Sequence, residues 1–346
     1  MENKNKFPPT RYQGSKFKLL KNIKPILEDI KFNSALDAFS GTASVSYLMK
    51  DMGKRVYSND ILKFNSITSK ALIENNKYLV KEDTINFVFK NNDSSYLNVI
   101  SENFEDVYFN SEENIWLDRI IQNIFNIENK YEQAICFWAL FQSCITKRPY
   151  GLFHRKNLHI RNAEVNRSFG NKKTWDTSFE VHFLKFISQA NSSIFNNKQD
   201  NISFNKNIFN LKEDNFELVY LDPPYIPEKG SFTYYGDFYH FLEGISNYYD
   251  WFENIDGTKK HKPFSIEKNP FENKEANKDM IFKLLEKFKN KTILFSYRSD
   301  GIPTIEEIID KLTGLHKKID IYNIDHQYVL SKKNMQEVLI KATPYL

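Results

Sequence analysis

Residues 35–60 are the passage that most restricts how this chain can fold. Ala35-Leu-Asp-Ala-Phe39 is a short apolar run of strand character, and Ser40-Gly41 is a turn. Thr42 to Met52 then repeats apolar residues at helical spacing, with Gly53 where a helix C-terminal cap is expected. Arg55-Val-Tyr-Ser-Asn-Asp60 reads as the next strand. A strand, turn, helix and strand in immediate succession imply two parallel strands joined by a right-handed crossover.

Strand-like runs resume late, at Leu218-Val-Tyr-Leu221, Thr292-Ile-Leu-Phe-Ser296 and Val338-Leu-Ile340, with a helical pattern over Ile305 to Leu312. Another helical pattern passes through Leu19, Leu20, Ile23, Ile26 and Leu27. The stretch between is helix-rich and polar, with a strongly apolar centre from Tyr131 to Ile145. The predicted architecture is therefore an α/β sheet domain from residues 1–65 and 200–346, interrupted by a helix-rich domain of residues 66–199. At 346 residues and 41% hydrophobic, the chain can build a real core. A net charge of only +4 means that any nucleic-acid surface must be a local patch. Cys136 and Cys144 lack metal-ligand spacing and suit a reducing compartment, so no metal is expected. Neither a secretory signal nor a run of membrane-spanning length is evident, so the expected setting is the cytoplasm, with no membrane partner.

The strongest chemical signal is Asp222-Pro-Pro-Tyr225, directly after the apolar run Leu218 to Leu221. Ligand sites in open parallel sheets lie at the carboxyl ends of strands. An amino group conjugated to a ring is a poor nucleophile, because its lone pair is delocalised. The Asp222 carboxylate can accept one N–H of such an amine and the Pro223 carbonyl the other, favouring a pyramidal nitrogen. Two prolines stiffen the turn, and Tyr225 offers a ring face for stacking a base removed from its helix. The plainer alternative is a rigid loop with an incidental Asp and Tyr.

The second signal is Asp37-Ala-Phe-Ser-Gly-Thr-Ala-Ser44. Small residues here let backbone approach a ligand, and the following helix begins with free N–H donors. Asp60 ends the next strand, where an acidic side chain grips the ribose of nucleotide-type cofactors. The dinucleotide fingerprint G-x-G-x-x-G is absent, and an ordinary strand-to-helix turn fits these residues equally well.

Together, Arg11-Tyr-Gln-Gly-Ser-Lys16, Asp37-Ala-Phe-Ser-Gly41 and Asp222-Pro-Pro-Tyr225 resemble three motifs of the Dam-like, D12-class adenine-specific DNA methyltransferases, in the same order and across essentially the whole chain. The resemblance implies a Rossmann-like sheet domain dependent on S-adenosyl-L-methionine, with a target-recognition domain in the insertion. It implies Tyr12 and Lys16 at the methionine and sulfonium end of the cofactor, Asp37, Phe39 and Gly41 in its main pocket, and Asp60 on the ribose. Asp222, Pro223 and Tyr225 would be catalytic. The family often has a second glycine where this chain has Ala43. The acidic residue usual on the strand before the catalytic one is replaced by Phe204-Asn205.

A third signal lies in the insertion. From Ala134 through Ala163 there is no acidic residue, while Lys147, Arg148, Arg155, Lys156 and Arg161 alternate with Tyr150, Phe153, His154 and His159. A solvated basic loop fits this composition, and so does phosphate and base contact. The resemblance favours DNA, with Lys147, Arg148, Tyr150, His154, Arg155 and Arg161 as candidates. The stretch Ser168-Phe-Gly-Asn-Lys-Lys173 also resembles the family's DNA-facing region. Downstream, Phe232, Tyr234, Tyr235, Phe238, Tyr239 and Phe241 suit either a loop closing over a flipped base or the core of a following helix. Tyr328-Val-Leu-Ser331 with Glu337-Val-Leu-Ile340 resembles the family's closing hairpin.

The expected reaction is transfer of a methyl group to the N6 amine of an adenine flipped out of double-stranded DNA. N4-cytosine and RNA adenine methylation use related chemistry and remain alternatives. C5-cytosine methylation is excluded by the lack of a cysteine after proline. A nicotinamide oxidoreductase leaves Asp222-Pro-Pro-Tyr225 idle, and a non-catalytic DNA-binding module leaves the cofactor turn idle. The resemblance implies a monomer that modifies DNA beside a restriction endonuclease, with an orphan or phage-borne enzyme as the rival setting.

Overall fold

The computed structural model describes residues 6–91, 96–163, 172–212, 214–228, 234–264, 269–315, 317–325 and 336–345. The chain divides into two compact units, one of Ser15–Ile61, Asn197–Tyr234 and Lys268–Leu346, the other of Met1–Gly14, Leu62–Asn196 and Tyr235–Glu267.

The first unit carries nine described strands. These are β1 (Ser34–Asp37), β2 (Arg55–Asn59), β3 (Ile202–Phe204), β4 (Leu218–Leu221), β5 (Ile226–Pro227), β6 (Thr292–Arg298), β7 (Gly301–Ile302), β8 (Lys317–Asp325) and β9 (Gln336–Pro344). Seven form a sheet in the order β3-β2-β1-β4-β6-β9-β8. The run from β3 to β6 is parallel, whereas β9 lies antiparallel to both β6 and β8. The two-residue strands β5 and β7 pair separately. This is the mixed α/β, mainly parallel architecture of the methyltransferase fold class expected above.

The parallel centre forms because its strands are short, apolar and hidden on both faces. All four residues of β4 are buried. Leu36, Val219, Leu221, Ile293 and Phe295 pack in one cluster with Ile281, Leu284 and Leu285 of the helix Asn277–Lys287. Ile308 and Leu312, from the helix Ile305–Gly314, join the same cluster. A capping box starts that last helix: Thr304 accepts from the Glu307 amide, and Glu307 accepts from the Thr304 amide. Chain order reverses between β1 and β4, so the loops after these neighbours leave the same edge of the sheet.

In the second unit the helix Lys130–Lys147 is buried continuously from Ala134 to Lys147 and packs against the helix Phe179–Ser193. Its thiols, Cys136 and Cys144, are both free and buried. Among the described residues no group of His, Cys, Asp or Glu is arranged to hold a metal. No helix among them is long and apolar enough to cross a membrane.

The aromatic stretch after Asp222-Pro-Pro-Tyr225 divides where it is described, with Tyr234 exposed and Tyr235 and Phe238 half-buried. Tyr239 and Phe241 are fully buried in the helix Tyr235–Ser246. Phe232 lies outside the described residues, as do Ser168 to Asn171 and Tyr328 to Ser331. Two strands of the seven-stranded sheet carried no clear sequence signal. β3 has three half-buried residues, and β8 alternates charged with apolar side chains. Both are sheet edges, which bury too little to leave an apolar run.

Candidate active site

The loop after β1 is held by its neighbours. Ala38 donates its amide to the Tyr220 carbonyl at 3.1 Å, and Ser40 donates to the Asn59 carbonyl at 2.9 Å. Gly41 takes a positive φ of 50° and donates its amide to Asp60 Oδ2 at 2.9 Å. Asp60 therefore shapes the loop. Ala43, in place of the family's frequent glycine, is left-handed at φ 62°, a strained setting for a residue with a Cβ. Phe39 is half-buried and sets its edge against Phe271 at 5.3 Å.

Asp37 closes this loop from below. Its Oδ2 accepts from the Ser46 amide at 3.1 Å and the Ser46 hydroxyl at 2.7 Å. Its Oδ1 is buried with no partner among the described residues. Burial chiefly, and then the charges of Asp222 and Asp60, push the Asp37 carboxyl up to about 7, against the Ser46 hydrogen bonds.

Asp222 follows β4 on the adjacent strand. Lys16 bridges it at 2.9 Å from Nζ to Oδ1 and reaches Glu337 Oε1 at 3.0 Å. Glu337, fully buried on β9, also accepts from the Ser296 hydroxyl at 2.5 Å. Burial raises the Asp222 carboxyl, Lys16 draws it down and Glu337 raises it again, leaving it at about 6. Asp222 Oδ2 and the Pro223 carbonyl have no partner among the described residues. The motif is fastened at its far end, where Asn277, itself buried, donates to the Pro224 carbonyl at 3.2 Å. The β5–β7 ladder ties the next residues to the turn after β6. Tyr225 is half-buried, with the Lys16 ammonium and the Arg298 guanidinium each 5.7 Å from its ring centre.

Among the described residues, the edge of the sheet thus offers the four carboxyl groups of Asp37, Asp60, Asp222 and Glu337 with Lys16 among them, an unpartnered buried oxygen, and two unused acceptors after β4. Such a site suits a cationic ligand beside an amine. The model of the D12 class N6 adenine-specific DNA methyltransferases matches residues 12–310. The chain belongs to that family. It is an adenine-specific DNA methyltransferase.

Three curated relatives extend the comparison. Type II methyltransferase M2.HphI of Haemophilus parahaemolyticus is 31% identical, across 97% of this chain and 96% of that protein. Type II methyltransferase M.FokI of Planomicrobium okeanokoites is 29% identical across 94% of this chain and 50% of its own length. Modification methylase StsI of Streptococcus sanguinis is 24% identical across 97% and 52%. The chain spans about half the length of the last two.

In this methyltransferase, the sheet unit gathers Lys16, Asp37, Phe39, Gly41, Asp60, Asp222, Pro223 and Tyr225. Tyr12 belongs to the helical unit. Its ring stacks on Tyr239 at 4.4 Å, and its hydroxyl accepts from Asn65. Asn205 uses its side-chain amide to hold the Asp60 and Ile61 carbonyls, at 2.9 and 2.8 Å.

The basic segment needs correction. Lys147, Arg148 and Arg161 are buried and committed to internal partners, so they are not placed as phosphate contacts. Lys147 and Arg161 both pair with Glu113 at 2.8 Å, and Lys147 also donates to the Trp175 and Thr177 carbonyls. Burial disfavours the Glu113 charge, but Arg161 and Lys147 outweigh it and hold its carboxyl below the usual range. Arg148 donates to the Leu152 and Arg155 carbonyls and lies 4.4 Å over the Tyr108 ring; desolvation lowers its pKa to about 9. The consequence is a shaped loop whose tip, Tyr150, is 74% exposed and left-handed at φ 64°. Arg155 and Lys156 are exposed beside it, and His154 is half-buried against Phe238. Composition marked the segment but could not separate inward from outward cations. Asn277, Ser296 and Glu337 also carry no sequence signal, since each acts through a contact distant in sequence.

Proposed function

We propose that this methyltransferase uses S-adenosyl-L-methionine to methylate the N6 amine of an adenine flipped out of double-stranded DNA. The observation that carries this reading is the pair of acceptors without a partner among the described residues, Asp222 Oδ2 and the Pro223 carbonyl, beside a loop lined by the carboxyl groups of Asp37 and Asp60. An exocyclic amine brings two N–H donors, one for each acceptor. Engaging both turns the nitrogen lone pair out of conjugation, and this gain is largest as the new bond forms. Tyr225 supports the flipped ring by stacking.

Bound S-adenosyl-L-methionine supplies a methyl group already activated by a sulfonium. Asp37, with its unpartnered oxygen, and Asp60 make the loop after β1 receptive to a cation and a ribose, while Phe39 and Gly41 form the wall. Lys16 faces the methionine end. Tyr12 is assigned to the same end from the family motif. The amine carries a surplus proton after transfer, and Asp222 is the base placed to take it.

For DNA, the exposed Tyr150 and Arg155, with His154, are the contacts we assign, in a recognition domain corresponding to residues 66–199. Lys147, Arg148 and Arg161 support that surface from inside. The type II and modification names of the relatives support a modification role opposite a restriction endonuclease, carried out by a monomer in the cytoplasm.

The test is transfer from labelled cofactor to duplex DNA, with nucleoside analysis of the product. N6-methyladenine is the expected product. N4-methylcytosine would overturn the choice of base, and label entering only RNA would overturn the DNA reading.

A further inference from the structure

Glu337 stands on β9 with no exposed surface, opposite Ile324 on β8 and Arg298 on β6. A buried carboxylate is costly unless its oxygens are engaged. Here the Ser296 hydroxyl donates to Oε1 at 2.5 Å, and the Lys16 ammonium meets the same oxygen at 3.0 Å. The same ammonium also meets Asp222 Oδ1 at 2.9 Å. Ser296, Glu337, Lys16 and Asp222 therefore form a continuous buried chain that ends at the catalytic motif. A lysine paired with Asp222 alone could shift between its two oxygens, since both offer the same charge. A second carboxylate, fixed by a serine on the neighbouring strand, removes that freedom.

We propose that Glu337 is a positioning residue for methyl transfer, anchoring Lys16 so that it holds Asp222 by Oδ1 and leaves Oδ2 for the adenine amine. This rests on the catalytic assignment of Asp222. Glu337 touches neither base nor cofactor in the reaction; it acts through Lys16. Its charge has a second effect. It raises the proton affinity of Asp222, opposing Lys16, and keeps the carboxylate a competent acceptor for the proton the amine must lose.

Among the described residues, several titratable groups face this chain. Asp222 meets Lys16, Glu337, Asp37 and Tyr220. Around Glu337 stand Lys16, Ser296, Tyr220 and the cross-strand Arg298, whose guanidinium pairs with Asp300. Tyr220 stays neutral because burial pushes its hydroxyl well up. Asp37 titrates nearby in pH, but Glu337 is not among the groups that shift it.

The experiment compares the pH dependence of kcat/KM in wild type, Glu337→Gln and Glu337→Asp, with cofactor affinity measured separately. Glu337→Gln keeps the shape and one acceptor oxygen but removes the charge. Its acid limb should move down by about one pH unit and its kcat should fall, with cofactor affinity unchanged. Glu337→Asp should return the limb to its wild-type position. A purely structural role would lower activity without moving the limb, and that result would overturn the proposal. Ser296→Ala releases Glu337 from β6 without removing a charge, and covers the case in which Glu337→Gln does not fold. It should lower kcat with the limb in place, and wild-type kcat in this variant would also overturn the proposal. Full activity in Asp222→Ala would instead refute the assignment on which the inference rests.

Discussion

At the scale of single residues, two buried carboxylates give the site its pH dependence. In the proposed mechanism Asp222 must be ionised to accept the amine, and burial, opposed by Lys16, raises its carboxyl to about 6. Activity is therefore expected to fall as pH drops through about 6 and to level off above it, which a pH–rate profile of kcat/KM on duplex DNA would show. Asp37 works on stability. Its folded-state pKa, about 7, is raised above the ordinary carboxylate value, so between roughly pH 4 and 7 the folded state binds more protons than the unfolded one. Its contribution to stability is therefore lost as pH rises across that window. Melting temperatures of the cofactor-free protein should show this fall, and Asp37→Asn should flatten it. A cation seated against Asp37 Oδ1 would favour the ionised form, so cofactor binding near pH 6.5 should release protons. Calorimetry in two buffers of different ionisation enthalpy measures that release; a buffer-independent heat would speak against Asp37 facing the cofactor.

At the scale of elements, the loops are set by distant side chains. Asn277, at the start of the helix Asn277–Lys287, pins the Pro224 carbonyl and is fully buried. Asn277→Ala should cost about 1–3 kcal/mol of stability and lower kcat more than it raises KM, readable from denaturation and steady-state kinetics together. In the basic segment, inward and outward residues should behave oppositely. Arg148→Ala removes the guanidinium that holds the Leu152 and Arg155 carbonyls, and should destabilise the protein by about 2–4 kcal/mol. Tyr150→Ala and Arg155→Ala should leave stability within about 0.5 kcal/mol and weaken DNA binding. A salt titration of DNA affinity adds a check, since loss of Arg155 should reduce its slope if this side chain meets a phosphate.

These contrasts also mark what could be read from sequence. β1, β2, β4 and β6 announced themselves because each carries a short apolar run, and motif residues stand at the ends of β1, β2 and β4. The turn after β1 was legible as a turn, but not that Asp60 would hold its Gly41 amide. Lys147 and Arg161 looked like DNA contacts because their partner, Glu113, lies 34 and 48 residues away and outside the acid-free segment. Glu337 looked like part of an ordinary strand, as its burial appears only once β9 pairs with β6 and β8.

At the scale of the whole molecule, the chemistry of one site is drawn from the ends of the chain and its middle. Lys16 precedes the sheet, Asp37 and Asp60 flank its first crossover, Asp222 follows β4, and Glu337 closes it. The strand order makes this convergence possible, because β1 and β4 are neighbours across the reversal and β9 returns beside β6.

The most direct test of the central claim compares wild type with Asp222→Ala for two quantities on the same preparation, S-adenosyl-L-methionine affinity and methyl transfer to adenine in duplex DNA. The expected result is a loss of transfer by about a thousandfold, with cofactor affinity within a few-fold of wild type. Transfer at the wild-type rate in Asp222→Ala would contradict the account and move the catalytic centre away from the end of β4.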